Sequence, residues 1–365
     1  MSKSNNTIFL AYYNAYPMTS GASMVSTSLF KSWPTKKKLF QYNPEKIKEI
    51  KDIFTYRSKF NNKFAKLIFF PFFLLFIVNK IKKQKIKFFI IEGASWAGYS
   101  YFSFIVMKYF HKKAKFIYHS HNVEYELRKN NFFISKLTFF FEKKILINCD
   151  FITAVSKKDQ ELFKRNYNIK THLLENGICI KKNFLYKKIH KKNNYIIFPG
   201  SLEFKENKKM FNKLYEEIFP ILKKTLSSKI KILLTGSDIK FFKNNKDIIE
   251  MGVLNKNKFL KYLKSSLLLI IPSSKGPGTK VKIIEALCYN KIVFSTLFAL
   301  NGINIKYKNN IIYRNKNDLK KKLIYFKKNS KKLSEKFNKI GTYCRKRYDM
   351  KIIVKNFYND IKKKN

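Results

Sequence analysis

The chain has few of the residues that mark small secreted or metal-stabilised proteins. Its four cysteines stand far apart in 365 residues and form no C-x-x-C pair. That spacing argues against a disulfide framework and against a zinc site, and it is typical of a reducing compartment. There is no D-x-D segment, and His119 and His121 alternate along a predicted strand. We therefore expect no metal and no cofactor.

Acidic residues are also scarce. Lys and Arg number 77 against 23 Asp and Glu, which gives a formal net charge of +54. Such a charge favours anionic partners: nucleic acid, acidic lipid headgroups or phosphorylated substrates. However, Lys, Asn, Ile and Phe are abundant while Ala, Gly and Pro are scarce, as an AT-rich coding sequence would produce, and we attribute the larger part of the charge to this bias. The basic runs are scattered along the chain, so no nucleic-acid partner is expected.

One strongly apolar run is too short for a membrane span. Leu67–Val78 has twelve residues without a charge, with Pro71 inside it, whereas a spanning helix needs roughly 20 apolar residues. Flanking lysines at positions 66 and 80 suit a helix in the membrane interface, and a buried helix explains the run equally well. Met1–Asn6 is polar and precedes a predicted strand, so no signal peptide is expected. These features predict a cytoplasmic protein, with attachment to the inner membrane face as an alternative.

Short apolar strands alternate with helical segments in both halves of the chain. Gly or Ser stands at most strand exits, as at Gly93, Ser156, Gly200, Gly236 and Ser273. This alternation predicts an α/β fold with two parallel, doubly wound, Rossmann-like sheets facing across a cleft. We expect an N-terminal domain over residues 1–180, a Lys- and Asn-rich linker over 181–194, a second domain over 195–345, and a C-terminal helix over 346–365 that packs back on the first domain.

The segment Pro272–Tyr289 carries the strongest chemical signal. Gly276-Pro277-Gly278-Thr279 is a glycine loop that follows an apolar strand and opens a helix. Glycines let a phosphate approach the backbone, and a helix N-terminus favours negative charge. Lys282 and Glu285 lie one turn apart on that helix. They suit a diphosphate and two ribose hydroxyls respectively, although a solvated surface pair is the alternative.

This segment, together with four others in the same order, resembles glycosyltransferase family 4. G-x-G-T-K-x-K-x-x-E-A-L from Gly276 is similar to the donor-site signature of that family. The further similar segments are His119–Glu124 (HSHNVE), Ala154-Val155-Ser156, Glu175–Ile178 (ENGI) and Phe198–Leu202 (FPGSL). The family has the GT-B fold, transfers sugars with retention of configuration, and needs no metal in the mechanism that the resemblance implies.

The resemblance also implies roles for individual residues. His121 is expected beside the hydroxyls of the donor sugar, and Glu285 on the ribose, and these two are the candidate catalytic residues. The remaining donor-binding candidates are Gly200, Ser201, Lys205, Gly276, Gly278, Thr279, Lys280 and Lys282. The Gly21-Ala22-Ser23 loop is expected to approach the donor phosphates or the acceptor.

Two positions depart from the family pattern. Pro277 replaces a glutamate that contacts the sugar in many relatives, and Ser201 and Asn207 stand where many have an Arg and a Lys. Lys205, Lys208, Lys280 or Lys282 can supply the missing charge, and the sequence does not decide between them. These departures leave the identity of the donor open.

The function predicted from these features is transfer of a hexose-type sugar from a UDP- or GDP-linked donor to a glycan or lipid-linked acceptor, in the synthesis of a surface polysaccharide. An anionic membrane surface is a further expected partner. Two alternatives remain: a non-catalytic relative that binds a nucleotide sugar, and a basic nucleic-acid-binding protein.

Overall fold

The computed structural model describes residues 6–18, 20–43, 50–58, 63–185, 193–237, 245–274 and 278–363. The chain divides into two compact units. The first comprises Met1–Met18, Ala22–Asn176 and Ile353–Asn365, and the second Thr19–Gly21 and Gly177–Ile352. The division therefore falls four residues before the position expected from the sequence, and the C-terminal segment belongs to the first unit.

The first unit is built on seven strands with helices between them. Its elements are β1 (Asn6–Ala11), α1 (Gly21–Ser32), β2 (Lys37–Tyr42), β3 (Ile53–Tyr56), α2 (Lys63–Ile81), β4 (Ile86–Gly93), α3 (Ala97–Phe110), β5 (Lys115–Ser120), α4 (Glu124–Arg128), α5 (Phe132–Asn148), β6 (Phe151–Ala154), α6 (Lys157–Tyr167) and β7 (His172–Leu173). The strands are all parallel, in the order β3-β2-β1-β4-β5-β6-β7.

Helices cover both faces of this sheet. On one face α2, α3 and α5 pack into a single hydrophobic core, to which Phe73, Phe104 and Ile145 contribute fully or almost fully buried side chains. On the other face the Phe9 ring meets Phe30 of α1 at 5.3 Å and Trp33 at 5.8 Å between centroids. A parallel sheet buried on both sides needs strands that are apolar throughout, which is why these strands read as continuous apolar runs.

The second unit repeats this architecture with five strands. Its elements are α7 (Lys182–Leu185), β8 (Tyr195–Pro199), α8 (Lys205–Lys213), a π-helical turn (Leu214–Ile218), α9 (Phe219–Thr225), β9 (Lys231–Thr235), β10 (Ile248–Glu250), α10 (Lys256–Ser265), β11 (Leu269–Ile271), α11 (Val281–Cys288), β12 (Val293–Ser295), two 3₁₀ turns (Phe298–Leu300 and Lys308–Asn310), α12 (Lys316–Lys328) and α13 (Ser330–Tyr348). The last helix, α14 (Met350–Lys363), begins in this unit and belongs to the first unit from Ile353 onward. The strands are parallel, in the order β10-β9-β8-β11-β12.

Both sheets reverse their strand order once, between β1 and β4 and between β8 and β11. In doubly wound sheets, ligands bind outside the carboxyl ends of the strands at such a reversal. The predicted α/β class with two doubly wound, Rossmann-like sheets is thus confirmed. Strands β2, β3 and β10 were not predicted, because each is short and lies next to lysines or polar residues that interrupt the apolar run.

The helix that contains Leu67–Val78 is longer than the uncharged run. It spans 19 residues from Lys63 to Ile81, and within it Phe64–Ile81 meets the length and composition of a membrane span, at a mean hydropathy of 1.9. The twelve-residue estimate was therefore too short. This helix connects the parallel strands β3 and β4, and Phe73, Ile77 and Ile81 on it are completely buried. Its inner side is therefore part of the core.

The terminal helix differs from the expected range. It begins at Met350 rather than at residue 346, because α13 continues to Tyr348. The expected linker also contains a short helix, α7, while residues 186–192 lie outside the described residues.

Candidate functional site

In the second unit, the loop after β8 is held by groups from three elements. Gly200 follows the strand with φ +153°, and its N–H donates to the Thr235 carbonyl oxygen at 2.9 Å. Asn207, in the first turn of α8, donates from Nδ2 to the Ser201 carbonyl oxygen at 2.9 Å. Asn207 therefore holds in place the loop of Gly200 and Ser201, which the sequence predicts to bind the donor.

The loop after β9 lies directly against this one. A Cβ atom on Gly236, which has φ +129°, would lie 2.5 Å from the Gly200 carbonyl oxygen. The Ser237 hydroxyl donates to the Ser201 hydroxyl oxygen at 2.7 Å. Only glycine allows this approach at position 236, so the two loops form one continuous surface at the carboxyl edge of the sheet.

Lys282 brings a positive charge to that surface. Its Nζ donates to the Pro199 carbonyl oxygen at 2.7 Å and to Asn207 Oδ1 at 3.3 Å. A Cβ atom on Gly200 would lie 3.0 Å from the same Nζ. The sequence did not decide which of several lysines supplies the positive charge at the donor. In the structure Lys282 lies at the β8 loop, whereas Lys205 is exposed at the start of α8.

The environment of Lys282 is poor in water and in counter-charge. Burial, with a smaller contribution from the charge of Lys280, lowers the pKa of its ammonium to about 7. Both hydrogen-bond acceptors named above are neutral amide oxygens. A bound anion would therefore favour the protonated form of this lysine more strongly than either of them does.

The segment before α11 satisfies part of the helix start through its backbone. Gly278 has φ +73°, and the Lys280 side chain does not cap the helix that it precedes. The Val281 N–H donates to the Thr279 carbonyl oxygen at 2.9 Å, and the Ile283 N–H donates to the Lys280 carbonyl oxygen at 2.8 Å. The positive end of the helix dipole still favours an anion at this position. Thr279 and Lys280 are partly buried here, and burial lowers the pKa of Lys280. Gly276, which the sequence also placed at this loop, lies outside the described residues.

Glu285 lies one turn further along α11 and is almost completely buried. Its Oε1 accepts a hydrogen bond from Lys256, the first residue of α10. Its Oε2 is buried and has no hydrogen-bond partner among the described residues. Glu285 and Lys282 are thus not the surface pair that the sequence allowed: each is directed to a different element.

In the first unit, a polar cluster surrounds Glu92 at the end of β4. Glu92 Oε2 lies 2.7 Å from His121 Nε2 and accepts a hydrogen bond from the Ser26 hydroxyl at 2.6 Å. The Tyr13 hydroxyl lies 3.5 Å from the same oxygen and also contacts Ser26. His119 Nδ1 bonds Thr153 Oγ1 at 2.8 Å. The strand reversal between β1 and β4 brings these groups together.

The charge of this cluster is set by burial and by its hydrogen bonds. Burial alone would raise the pKa of Glu92, but the neighbouring His119 and the hydrogen bonds from His121 and Ser26 outweigh it and hold the pKa below its usual value. Burial lowers the pKa of His119 to about 4. At neutral pH the cluster therefore contains a carboxylate that orients His121, beside a neutral His119.

The same residues are the ones that can hold a metal ion. Ligand atoms of Glu92, His119 and His121 lie within 4.8 Å of one another, and Glu92 Oε1 and His119 Nε2 are buried without a hydrogen-bond partner among the described residues. Two histidines and a carboxylate are a common zinc ligand set. The expectation that the protein needs no metal stays a prediction.

The remaining predicted residues begin α1. Gly21 is exposed, and a Cβ atom there would have no neighbour within 4 Å. Ala22 is partly buried and Ser23 is completely buried. Ser23 therefore presents no side chain to solvent in this structure.

Several residues of these sites were missed from the sequence. Glu92 is a carboxylate that ends an apolar strand, a signal that was available. Lys256, Ser26 and Tyr13 carry no such signal, because each lies on another element far along the chain from its partner. Asn207 was noted only as a departure from the family pattern.

Comparison with solved structures identifies glycosyltransferases of similar architecture, whereas no protein-family model and no curated protein matches the chain. Anabaena HepE in complex with UDP and glucose is 10% identical, with a TM-score of 0.71 over 98% of this chain and 99% of its own. An α-glucosyltransferase in complex with UDP-glucose and DNA containing an abasic site is 11% identical, with a TM-score of 0.67 over 99% and 100%.

A third similar structure is WaaG, a glycosyltransferase involved in lipopolysaccharide biosynthesis. It is 10% identical, with a TM-score of 0.64 over 96% of this chain and 98% of its own. At these identities, the likeness concerns the fold. The chain has the GT-B fold of these glycosyltransferases, as the resemblance in its sequence implied.

Proposed function

We propose that this protein is a retaining glycosyltransferase, similar to family 4, that moves a hexose from a nucleotide-sugar donor to a glycan or lipid-linked acceptor. The observation that carries the proposal is the position of Lys282. Its ammonium lies beside Gly200, at the carboxyl edge of the second sheet, and Lys282 itself stands in the first turn of α11. A fold shared with proteins crystallised with UDP or UDP-glucose supports the nucleotide as ligand.

The chemistry assigned to Lys282 is stabilisation of the leaving group. As the bond between sugar and phosphate breaks, negative charge grows on the nucleoside diphosphate. An ammonium with a pKa of about 7 becomes fully protonated when that charge is beside it, and the start of α11 adds N–H donors. Gly200 has no side chain, which allows the Lys282 ammonium and the Asn207 amide to lie this close to the backbone.

Glu285 is assigned to the ribose. Lys256 holds one carboxylate oxygen, and the other is left without a partner. A buried oxygen of this kind costs free energy until a donor reaches it. Ribose hydroxyls are hydrogen-bond donors and can satisfy this oxygen. A ligand without hydroxyls at this position would leave it unsatisfied and would therefore bind more weakly.

His121 is assigned to a hydroxyl of the transferred sugar. Glu92 orients its imidazole through the 2.7 Å contact, so the ring is fixed before the sugar binds. No described residue near this cluster is required as a covalent nucleophile. Retention by attack on the same face as the leaving group is what the family resemblance implies, and analysis of the anomer formed by NMR would test it.

Assembly of a surface polysaccharide on the cytoplasmic side of a membrane fits the reducing-compartment cysteine pattern and the basic composition. WaaG is involved in lipopolysaccharide biosynthesis, and the same class of acceptor is proposed here. A UDP-linked donor is proposed ahead of a GDP-linked one because several solved structures of similar fold contain UDP or UDP-glucose.

Thermal unfolding with a panel of nucleotides and nucleotide sugars tests the donor site. A ligand bound only by the folded state raises the midpoint, so UDP and one UDP-sugar are expected to stabilise the wild type and not Lys282→Met. If no UDP or GDP compound stabilises the wild type, the proposal is wrong.

Release of UDP in the presence of acceptors then tests turnover. Lipid-linked glycans, free oligosaccharides and duplex DNA form the acceptor panel, and DNA is expected to be inactive. If the protein binds the donor but shows neither transfer to an acceptor nor slow hydrolysis, it would instead be a non-catalytic relative that binds nucleotide sugars.

A further inference from the structure

Three helices of the first unit expose apolar side chains where a soluble protein usually has charged ones. Most of the large hydrophobic residues that the described chain exposes lie on α2, α3 and α5. On α2 the outward positions are Phe64, Leu67, Ile68, Phe72 and Leu75, which recur once per helical turn on one side of the helix. Phe64 is 79% exposed. The outer side of this helix is thus as apolar as the inner side that packs in the core.

The same arrangement continues on the two neighbouring helices. The outward positions of α3 include Phe102, Ile105 and Tyr109, and those of α5 include Phe133 and Phe140. Phe133 is 82% exposed. We call the exposed apolar side chains of α2, α3 and α5 together the three-helix face.

The helices that carry this face pack side by side. Beneath it, the buried Phe70 of α2 meets Tyr99 of α3 at 4.8 Å between ring centroids, and the exposed Phe102 of α3 meets Phe141 of α5 at 5.3 Å. An apolar surface that extends over three packed helices is larger than the scattered exposed residues of ordinary soluble proteins, and such surfaces mark interaction sites.

The polar residues of these helices decide which partner fits. α2 and α3 contain no acidic residue, and Glu142, the single one in α5, is buried. Apart from Glu142, the charged residues of these three helices are all lysines. Lys136 lies 4.1 Å over the Phe132 ring and Lys144 lies 5.6 Å over the Phe140 ring. Lysines whose stems lie along aromatic side chains can reach phosphate groups while the rings enter an apolar phase.

We propose that the three-helix face inserts into the surface of an anionic lipid bilayer. Apolar side chains enter the boundary between headgroups and acyl chains, and the lysines bind lipid phosphates. A spanning orientation does not fit, because the inner side of α2 is buried against β-strands of the same unit. Every exposed charge on these three helices is positive, as a surface that meets lipid phosphates requires. A face built for a protein partner usually carries charges of both signs.

The proposal does not depend on the transferase activity, and it extends beyond the single apolar run seen in the sequence. It also assigns a role in membrane attachment to the lysines of these three helices. The residues that carry it are all distant in sequence from Lys282 and Glu285.

Co-sedimentation of the full-length protein with vesicles tests this proposal. The vesicles contain phosphatidylcholine alone or phosphatidylcholine with phosphatidylglycerol. We expect binding to the anionic vesicles that weakens with salt but persists in part at high salt, because the apolar contribution is not screened. Ile68→Glu and Phe133→Glu should each lower the partition coefficient at least tenfold, since burial of one such side chain contributes roughly that much.

Ile324→Glu is the matched control. Ile324 is an exposed isoleucine of α12 in the other unit, so this variant adds the same charge away from the face and should bind like wild type. Stabilisation by UDP in the same variants checks folding separately, so a failure of the membrane proposal and a failure of the donor site give different results.

Insertion can be followed directly with Phe72→Trp. Its fluorescence should shift to the blue and be quenched by brominated lipid when anionic vesicles are added. Three outcomes would overturn the proposal: equal vesicle binding by wild type and both Glu variants, complete loss of wild-type binding at high salt, or a dimer in lipid-free solution that the Glu variants dissociate. The last would identify the face as an interface between protein chains.

Discussion

Lys282 Nζ donates to the Pro199 carbonyl oxygen at 2.7 Å, across 83 residues of sequence. This contact places an ammonium at the end of β8, where the sequence has neither of the basic residues that similar enzymes carry. The two predictions that follow depend on this relationship.

Lys282→Met should weaken UDP binding about 10-fold to 100-fold, because a charge-assisted hydrogen bond to phosphate contributes roughly 1.5–3 kcal/mol. The same substitution should leave the thermal midpoint without ligand close to wild type, since it removes a charge whose burial is unfavourable. Isothermal titration calorimetry measures the first effect and calorimetric unfolding the second. A purely structural lysine would show the opposite: a lower midpoint and unchanged binding.

UDP affinity should fall as the pH rises above about 7. Below that pH the Lys282 side chain is already protonated, so UDP binding needs no proton uptake. Above it the side chain is mostly neutral, and UDP binding requires that Lys282 take up a proton. The dissociation constant should therefore rise by up to about tenfold per pH unit. Lys282→Arg keeps its charge throughout this range and should give a flat profile. A wild-type profile as flat as that of the Arg variant would show that another group binds the phosphate.

Lys256→Met should destabilise the fold by about 3–5 kcal/mol, because it leaves the Glu285 carboxylate buried without its ion pair. Adding Glu285→Gln to it should recover most of that loss. UDP binding should remain weak in the double variant, since the ribose loses its charged acceptor. Denaturant unfolding of the two single variants and the double variant measures the coupling. Additive effects of the two substitutions would contradict the pairing.

Glu92→Gln should lower kcat at least about tenfold while leaving the UDP dissociation constant unchanged, because Glu92 acts by orienting His121. Ser26→Ala removes one hydrogen bond to the same carboxylate and should have a smaller effect. Steady-state kinetics with the active UDP-sugar, beside calorimetry with UDP, separates the two quantities. If Glu92→Gln weakened UDP binding as much as turnover, general unfolding rather than orientation would be the cause.

Gly236→Ala should destabilise the second unit by about 2 kcal/mol or more, because the added Cβ atom meets the Gly200 backbone at a positive φ. UDP binding should weaken with it, since the β8 loop must shift. Gly21→Ala is the control: its Cβ atom has open space, and we expect a change within about 1 kcal/mol. Thermal unfolding of the two variants compares them directly, and equal midpoints would contradict the close approach of the two loops.

The sequence allowed the α/β class, the two-sheet organisation and most strands to be predicted. Strands such as β4 and β8 are buried on both faces, so their apolar runs are visible without a structure. The same reasoning placed His121 directly after a strand, and it follows β5 in the structure; the roles of His121 and Glu285 at the donor stay predictions. That reasoning failed for α2, because a helix that is apolar on all sides has no periodicity to show which side is buried.

Local sequence therefore determined which segments form strands and helices and which residues follow the strand ends, since these properties depend on neighbours a few positions away. The tertiary structure alone decided that Glu92 meets His121, that Lys256 rather than Lys282 pairs with Glu285, and that Lys282 lies beside Gly200. Crossover connections in a parallel sheet bring groups from distant segments to one edge, and the order of the strands selects which of them meet.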